Sequence, residues 1–287
     1  MLNIGIIGIT EVLEPHVKRI QKNKNVNVIG KASIGTNTQL NSFHFSIPEF
    51  NRVELIERAD ILLVDDSSLL PYDLLCDIVK KGKHIFMTEY LNLSFDECKE
   101  LLKLTNESRS VVQVSNPYYY LPGVQWLNKN FRSPFFLDVW KFSSEKSFNE
   151  TILPLLLMLT DLVGLNPKKL NAISFRSNEN KHEFTNVRLD YGNASTVNLN
   201  FGNQIAFNKF SINGFSNDQY VSMDFNKDIF LLDNHRIDLS KFMFLNEFDS
   251  YIHTITTQNN ENGNLEDYLL SKLLALDINK KVSKLFA

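Results

Sequence analysis

The residues able to do chemistry in this chain are few, and most of them follow short apolar runs. Asp65-Asp66-Ser67-Ser68 comes directly after Ile61–Val64. Carboxylates at such a point can bind sugar hydroxyls or a cation. As structure they make a solvated turn or cap the next helix, a task open to Ser67 and Ser68 as well. Asn116-Pro117-Tyr118-Tyr119-Tyr120 follows Ser110–Val114. Its tyrosines either stack on a planar ligand or sugar face, or seal a junction between domains. The six histidines (His16, His44, His84, His182, His235 and His253) show no ligand spacing, and two distant cysteines make no zinc signature. No metal is expected. Cys76 and Cys98 lie in amphipathic helical stretches and are expected as buried, inert thiols.

The elements that carry these residues fall into two textures. Up to about residue 120, apolar runs alternate with helical patterns: Leu2–Ile7, Val26–Ala32, Ile61–Val64, His84–Met87 and Ser110–Val114 as strands, with helices between them. Strands apolar on both faces and separated by helices predict a parallel sheet covered on both sides. Beyond Pro122 the period changes to two, as in Val187, Leu189, Tyr191 and in Val197, Leu199, Phe201. That pattern predicts six or seven mostly antiparallel strands between 135 and 233, with one face buried and the other wet. An apolar helix over 152–164 interrupts them, and helices over 244–257 and 265–286 close the chain. The expected fold is α/β: an N-terminal doubly wound, Rossmann-type parallel sheet over 1–120, then an α+β domain over 121–287 with an open sheet. The terminal helix is free to pack back on the first domain.

Composition narrows the function. The 287 residues are 43% hydrophobic and 22% charged, which excludes wholesale disorder. Thirty basic against 33 acidic side chains give a net charge of −3, with no footprint for nucleic acid or an anionic membrane. Few cysteines suit a reducing compartment, and no basic stretch followed by an apolar core opens the chain. A cytoplasmic protein is the expectation.

Several stretches carry a resemblance. NIGIIG (residues 3–8), GKHIFMTEY (82–90), LSFDECKELLKLTNESRSVVQVSN (93–116) and NLEDYLLSKLLALDINKK (264–281) resemble segments of the glucose–fructose oxidoreductase/inositol dehydrogenase (Gfo/Idh/MocA) family. Glu89-Tyr90 is similar to the Glu-Tyr of biliverdin reductase, a compact member. The resemblance implies an NAD(P)-dependent oxidoreductase acting on a small substrate such as a sugar derivative. It places the cofactor along Gly8, Thr10, Ser33, Asp65, Ser67 and Glu89, and the substrate near Asn116, Tyr118 and Glu150. It also points to a homodimer or tetramer built through the C-terminal sheet. Ser33, in place of the usual ribose-binding acid, leans towards NADP.

Four departures accompany it. A dinucleotide turn wants Gly-x-Gly-x-x-Gly, and the frame here is Gly8-Ile9-Thr10-Glu11-Val12-Leu13, with a β-branched residue and a negative charge where phosphate should meet backbone. No acid stands at Ser33. Two carboxylates, Asp65 and Asp66, flank the crevice. The family's catalytic Lys position is Tyr90, and its His position is Pro154, which cannot move a proton. A phenol near its ordinary pKa is a poor base at neutral pH and a serviceable hydrogen-bond donor. Catalytic competence is therefore open, with a non-catalytic ligand-binding or assembly protein as the alternative.

Overall fold

The computed structural model describes residues 1–8, 10–20, 22–32, 47–131, 133–143, 148–176, 183–203, 208–257 and 265–284. The side chains at 10–12, 14, 15, 148–150, 176 and 183 fall outside that description. The chain forms two compact units, Met1–Ser115 with Asn246–Leu269, and Asn116–Leu245 with Leu270–Ala287. The chain passes to the second unit after Ser115, returns to the first at Asn246 and leaves it again after Leu269, within the last helix.

The first unit is a six-stranded parallel sheet. Its strands are β1 (Leu2–Ile7), β2 (Val26–Ala32), β3 (Glu49–Phe50), β4 (Ile61–Val64), β5 (His84–Met87) and β6 (Val112–Val114), in the order β3-β2-β1-β4-β5-β6. All four residues of β4 are buried, as a run apolar on both faces requires. Helices α1 (Thr10–Ile20), α2 (Arg52–Arg58), α3 (Tyr72–Lys80) and α4 (Phe95–Ser108) connect the strands. Local chemistry sets their ends. The Ser94 hydroxyl accepts the Glu97 N–H at 3.3 Å, and the Glu97 carboxylate accepts the Ser94 N–H at 2.6 Å, a reciprocal cap for α4. Gly5 is a packing glycine: a Cβ there would stand 2.9 Å from Leu55 Cγ of α2. The returning helix (Glu247–Thr257) lays Phe248 and Tyr251 against Phe86 of β5, with ring centroids 5.5 and 5.2 Å apart.

In the second unit come α5 (Pro122–Asn130), β7 (Phe136–Phe142), α6 (Phe148–Met158) and α7 (Thr160–Val163). The strands β8 (Lys169–Arg176), β9 (Glu183–Asp190), β10 (Thr196–Asn203), β11 (Lys209–Phe215), β12 (Tyr220–Asp224), β13 (Ile229–Leu232) and β14 (His235–Arg236) follow. Counting the returning helix as α8, the last is α9 (Leu265–Ser283). The sheet order is β14-β13-β12-β11-β7-β10-β9-β8, antiparallel except between β7 and β10. Alternate residues such as Leu137, Val139, Leu199 and Ile212 are fully buried, in one cluster with Ile152 and Leu155 of α6. The helix expected over 152–164 is two helices. Thr160 Oγ donates to Leu157 O at 2.9 Å, and the Leu159 N–H bonds back only three residues, to Leu156 O, so the turn tightens there. No helix among the described residues is long and apolar enough to cross a membrane.

Candidate functional site

In an open parallel sheet the ligand crevice lies beyond the carboxyl ends of the strands, where the strand order reverses. Here the reversal falls between β1 and β4. Ile7 pairs with Val64, so Gly8 and Asp65 leave the sheet side by side, and the Asp65 N–H donates to Ile7 O at 3.3 Å. Gly8 has φ +147°, a conformation that favours glycine, and a Cβ there would fall 2.0 Å from Asp65 Oδ1 and 2.3 Å from its Cγ. The Asp65 carboxylate therefore rests directly on the turn, and the residue is only 3% exposed.

Its neighbour does something else. Asp66 Oδ1 accepts the Ser68 N–H at 2.7 Å and caps the single 3₁₀ turn Ser67–Leu69. Asp66 thus caps this short turn, while α3 begins after Pro71 with no side-chain cap from either the aspartates or the serines. Ser67 Oγ accepts the Asn92 N–H at 3.1 Å, tying the loop after β4 to the loop after β5. Thr88 Oγ donates to Asp65 O at 3.2 Å. Glu89 is exposed and Tyr90 half-buried. At the end of β6, Ser115 Oγ donates to Glu247 Oε2 at 2.8 Å. Glu247 went unnoticed in the sequence because 132 residues separate it from Ser115. Asp65, Glu89 and Glu247 put three carboxylates among these residues.

A dinucleotide pyrophosphate needs close approach to the glycine turn and the positive end of the following helix. The Asp65 carboxylate takes up the space that a side chain at residue 8 would fill, and the sequence puts Thr10 and Glu11 where the Gfo/Idh/MocA turn meets phosphate. Thr10 is the first residue of α1, with its side chain outside the description, and Ser33 lies outside the described residues altogether. Among the described residues no group of three or more His, Cys, Asp and Glu could hold a metal ion.

The second unit gathers a different set. Asn116 is buried, and its Oδ1 accepts the Tyr119 N–H at 3.3 Å. Tyr118 packs on Phe210 with ring centroids 5.0 Å apart. Lys141 Nζ sits over both rings, 5.3 Å from Tyr118 and 5.0 Å from Phe210. Burial pushes the Tyr118 hydroxyl up to about 12, so it stays protonated and serves as a donor. Tyr119 Oη donates to the Asp161 carboxylate on α7. Lys141 and Asp161 are functional candidates that the sequence reasoning missed. For Lys141 a signal existed: period two in FLDVWKF puts it on the inward face of β7 with Leu137 and Val139. Glu150 stands in the first turn of α6 with its side chain undescribed, and Pro154 lies inside that helix. A cavity of about 810 Å³ opens elsewhere in this unit, lined chiefly by Phe225, Phe230, Phe242 and Phe244, with Arg236 among its polar groups.

No protein-family model matches the sequence, and no curated protein matches it. Solved structures do. UDP-N-acetylglucosamine 3-dehydrogenase from Acidithiobacillus ferrooxidans superposes with a TM-score of 0.83 at 14% identity, over 98% of this chain and 97% of that one. An oxidoreductase from Agrobacterium radiobacter, in complex with NAD+, L-tartaric acid and magnesium, gives 0.82 at 11% identity over 98% and 96%. Biliverdin reductase from Synechocystis, in complex with biliverdin and NADP+, gives 0.75 at 13% identity over 98% and 99%. Identities this low establish the fold, which is the Rossmann-type, two-unit architecture that the resemblance implied.

Proposed function

We propose that this chain is a Gfo/Idh/MocA-type oxidoreductase homologue that holds a small ligand, such as a sugar derivative, and has lost the group's usual proton-coupled hydride transfer. The observation carrying this reading is Pro154, which stands inside α6 where the resemblance places the catalytic histidine and has no titratable atom. Tyr90, at the family's lysine position, supports it further, because a phenol of ordinary pKa is a poor base near neutrality. Nicotinamide dinucleotide then binds weakly, at or above about 0.1 mM, equivalent to roughly −5.5 kcal/mol. Fluorescence titration of the whole chain with NADH and NADPH tests this, and a low-micromolar dissociation constant for either one overturns it.

A second reading keeps catalysis. Its support is the fold likeness to the NADP+-bound biliverdin reductase together with Glu89-Tyr90 beyond β5. In that reading Tyr90 donates a hydrogen bond to a carbonyl or imine substrate positioned beside the nicotinamide, and NADP is preferred over NAD. NADPH oxidation with a carbonyl substrate, abolished in Tyr90→Phe, would favour it.

The open face of the eight-stranded sheet is read as the contact with a second copy of the chain. Ile173 and Phe175 on β8 are 66% and 67% exposed, and Phe215 on β11 is 42% exposed. Their registers place them on one face with Phe136, Trp140 and Phe184. A twofold contact makes such a face self-complementary, and a stable one buries roughly 1,200 Å² or more in total.

A further inference from the structure

We propose that the cavity of about 810 Å³ in the second unit binds a flat, apolar molecule carrying one carboxylate. It lies on the helix-covered side of the eight-stranded sheet. Phe230 of β13 pairs with Met223 of β12, and both belong to the buried cluster that includes Val124 and Leu127 of α5. Two separate segments supply the aromatic wall. Phe225 and Phe230 meet edge to face with ring centroids 5.4 Å apart, and Phe242 and Phe244 stand 6.4 Å apart. Gly123 lets the first pair close in, since a Cβ there would stand 2.9 Å from each ring. Four phenyl rings around a space of this size favour a planar apolar guest.

Polar groups at the cavity select the guest's charge. Leu121, Pro122 and Gly123 bring the start of α5 to it, and that first turn holds no acidic residue and no side-chain cap. The positive end of a helix therefore faces the guest without a neutralising side chain of its own. Arg236 lines the cavity from β14, where its backbone pairs with Leu231 and its guanidinium makes no ion pair with a described residue. Two acids line it as well. Asp238 is committed elsewhere: it accepts the Ser240 N–H at 3.1 Å and the Ser240 hydroxyl at 2.6 Å, with Lys241 Nζ 3.6 Å away. Asp228 is exposed in the turn between β12 and β13 and offsets part of the charge of Arg236, itself exposed. The helix start then tips the balance towards an anion. Water screens both side chains, so the selection is modest, about fivefold.

Isothermal titration calorimetry of the whole chain with cinnamate, neutral cinnamamide and cationic cinnamylamine tests this. Cinnamate should bind saturably and about fivefold more tightly than the amide, with the amine weakest. Arg236→Gln should bring the acid close to the amide and leave the amide's affinity unchanged. Asp228→Asn should tighten cinnamate binding. Phe242→Ala removes a ring that is 39% exposed and should weaken all three. Arg236→Gln, at an exposed and unpaired position, carries the test if Phe242→Ala fails to fold. Absence of saturable cinnamate binding up to about 5 mM overturns the proposal. So does an amide or amine that binds as tightly as the acid, an Arg236→Gln variant that keeps the preference for the acid, or binding unmoved by Phe242→Ala. Nicotinamide dinucleotide takes no part in these titrations, so the function proposed above stands or falls separately.

Discussion

The two sheets of this protein put their polar groups in opposite places. In the parallel sheet both faces are covered, β4 is buried from end to end, and polar groups collect beyond the carboxyl ends at Asp65, Thr88 and Ser115. In the eight-stranded sheet one face is buried and the other carries a polar lattice. There Asn200 Nδ2 donates to Asp138 Oδ1 at 2.7 Å, Asn186 Nδ2 to Asn200 Oδ1 at 2.8 Å, and Trp140 Nε1 to Asp138 Oδ2 at 2.6 Å. Chemistry in the first unit is thus confined to strand ends, where backbone pairing stops. The second unit presents side chains across a whole sheet face.

Paired truncations test this contrast directly. Leu63→Ala in β4 should cost about 2–5 kcal/mol of stability, since Leu63 is fully buried in a sheet with no free face. Ile173→Ala in β8, 66% exposed, should cost within about 0.5 kcal/mol for the isolated chain. Denaturant midpoints measure both, and similar losses would contradict the assignment of β8's outer face to the surface. If a second copy covers that face, Trp140→Glu should shift the species seen by light scattering from dimer or tetramer to monomer. A wild type that is monomeric at tens of micromolar refutes the interface.

A milder effect belongs to the first unit. The imidazoles of His16 and His84 are both held below their ordinary pKa, chiefly by burial, with Arg19 adding to the effect at His16. At His84, Nδ1 accepts the Val111 N–H at 2.9 Å, which a doubly protonated ring cannot do. A histidine with a lowered native pKa stabilises the fold above its unfolded value of about 6.5, and that stability is lost as pH falls through the native value. The urea midpoint should therefore drop below about pH 6.5, and His84→Gln should flatten part of that slope. The smallest change expected is at the cap of α4, where Ser94→Ala removes one of two reciprocal hydrogen bonds and should cost about 1 kcal/mol.

Much of the architecture was legible because it is local. Runs such as ILLV and the alternation in TVNLNFG report burial on two faces or on one, and the structure has β4 and β10 where those patterns lie. The Ser94–Glu97 cap is legible for the same reason, since its partners stand three residues apart. The two-residue strands β3 and β14 were missed, being too short to show a period. The break before Thr160 was missed because a continuous apolar run hides the competition of one hydroxyl for a backbone carbonyl.

Local pattern could place Gly8 and the Asp65-Asp66 pair at strand ends, and no more. Which aspartate faces the glycine depends on the parallel register of β1 with β4, joining residues 57 positions apart, and nothing in either segment alone encodes that pairing. Glu247 reaches Ser115 only because the chain returns to the first unit after finishing the second sheet. Lys141 lies over Tyr118 and Phe210 because strand register aligns two side chains from opposite sides of the α6 insertion and a linker tyrosine packs on them. Secondary structure answers to hydrophobic period, which a sequence displays along its length. A site answers to which strand ends become neighbours, and that is decided when long-range burial selects one pairing of the sheet over the others.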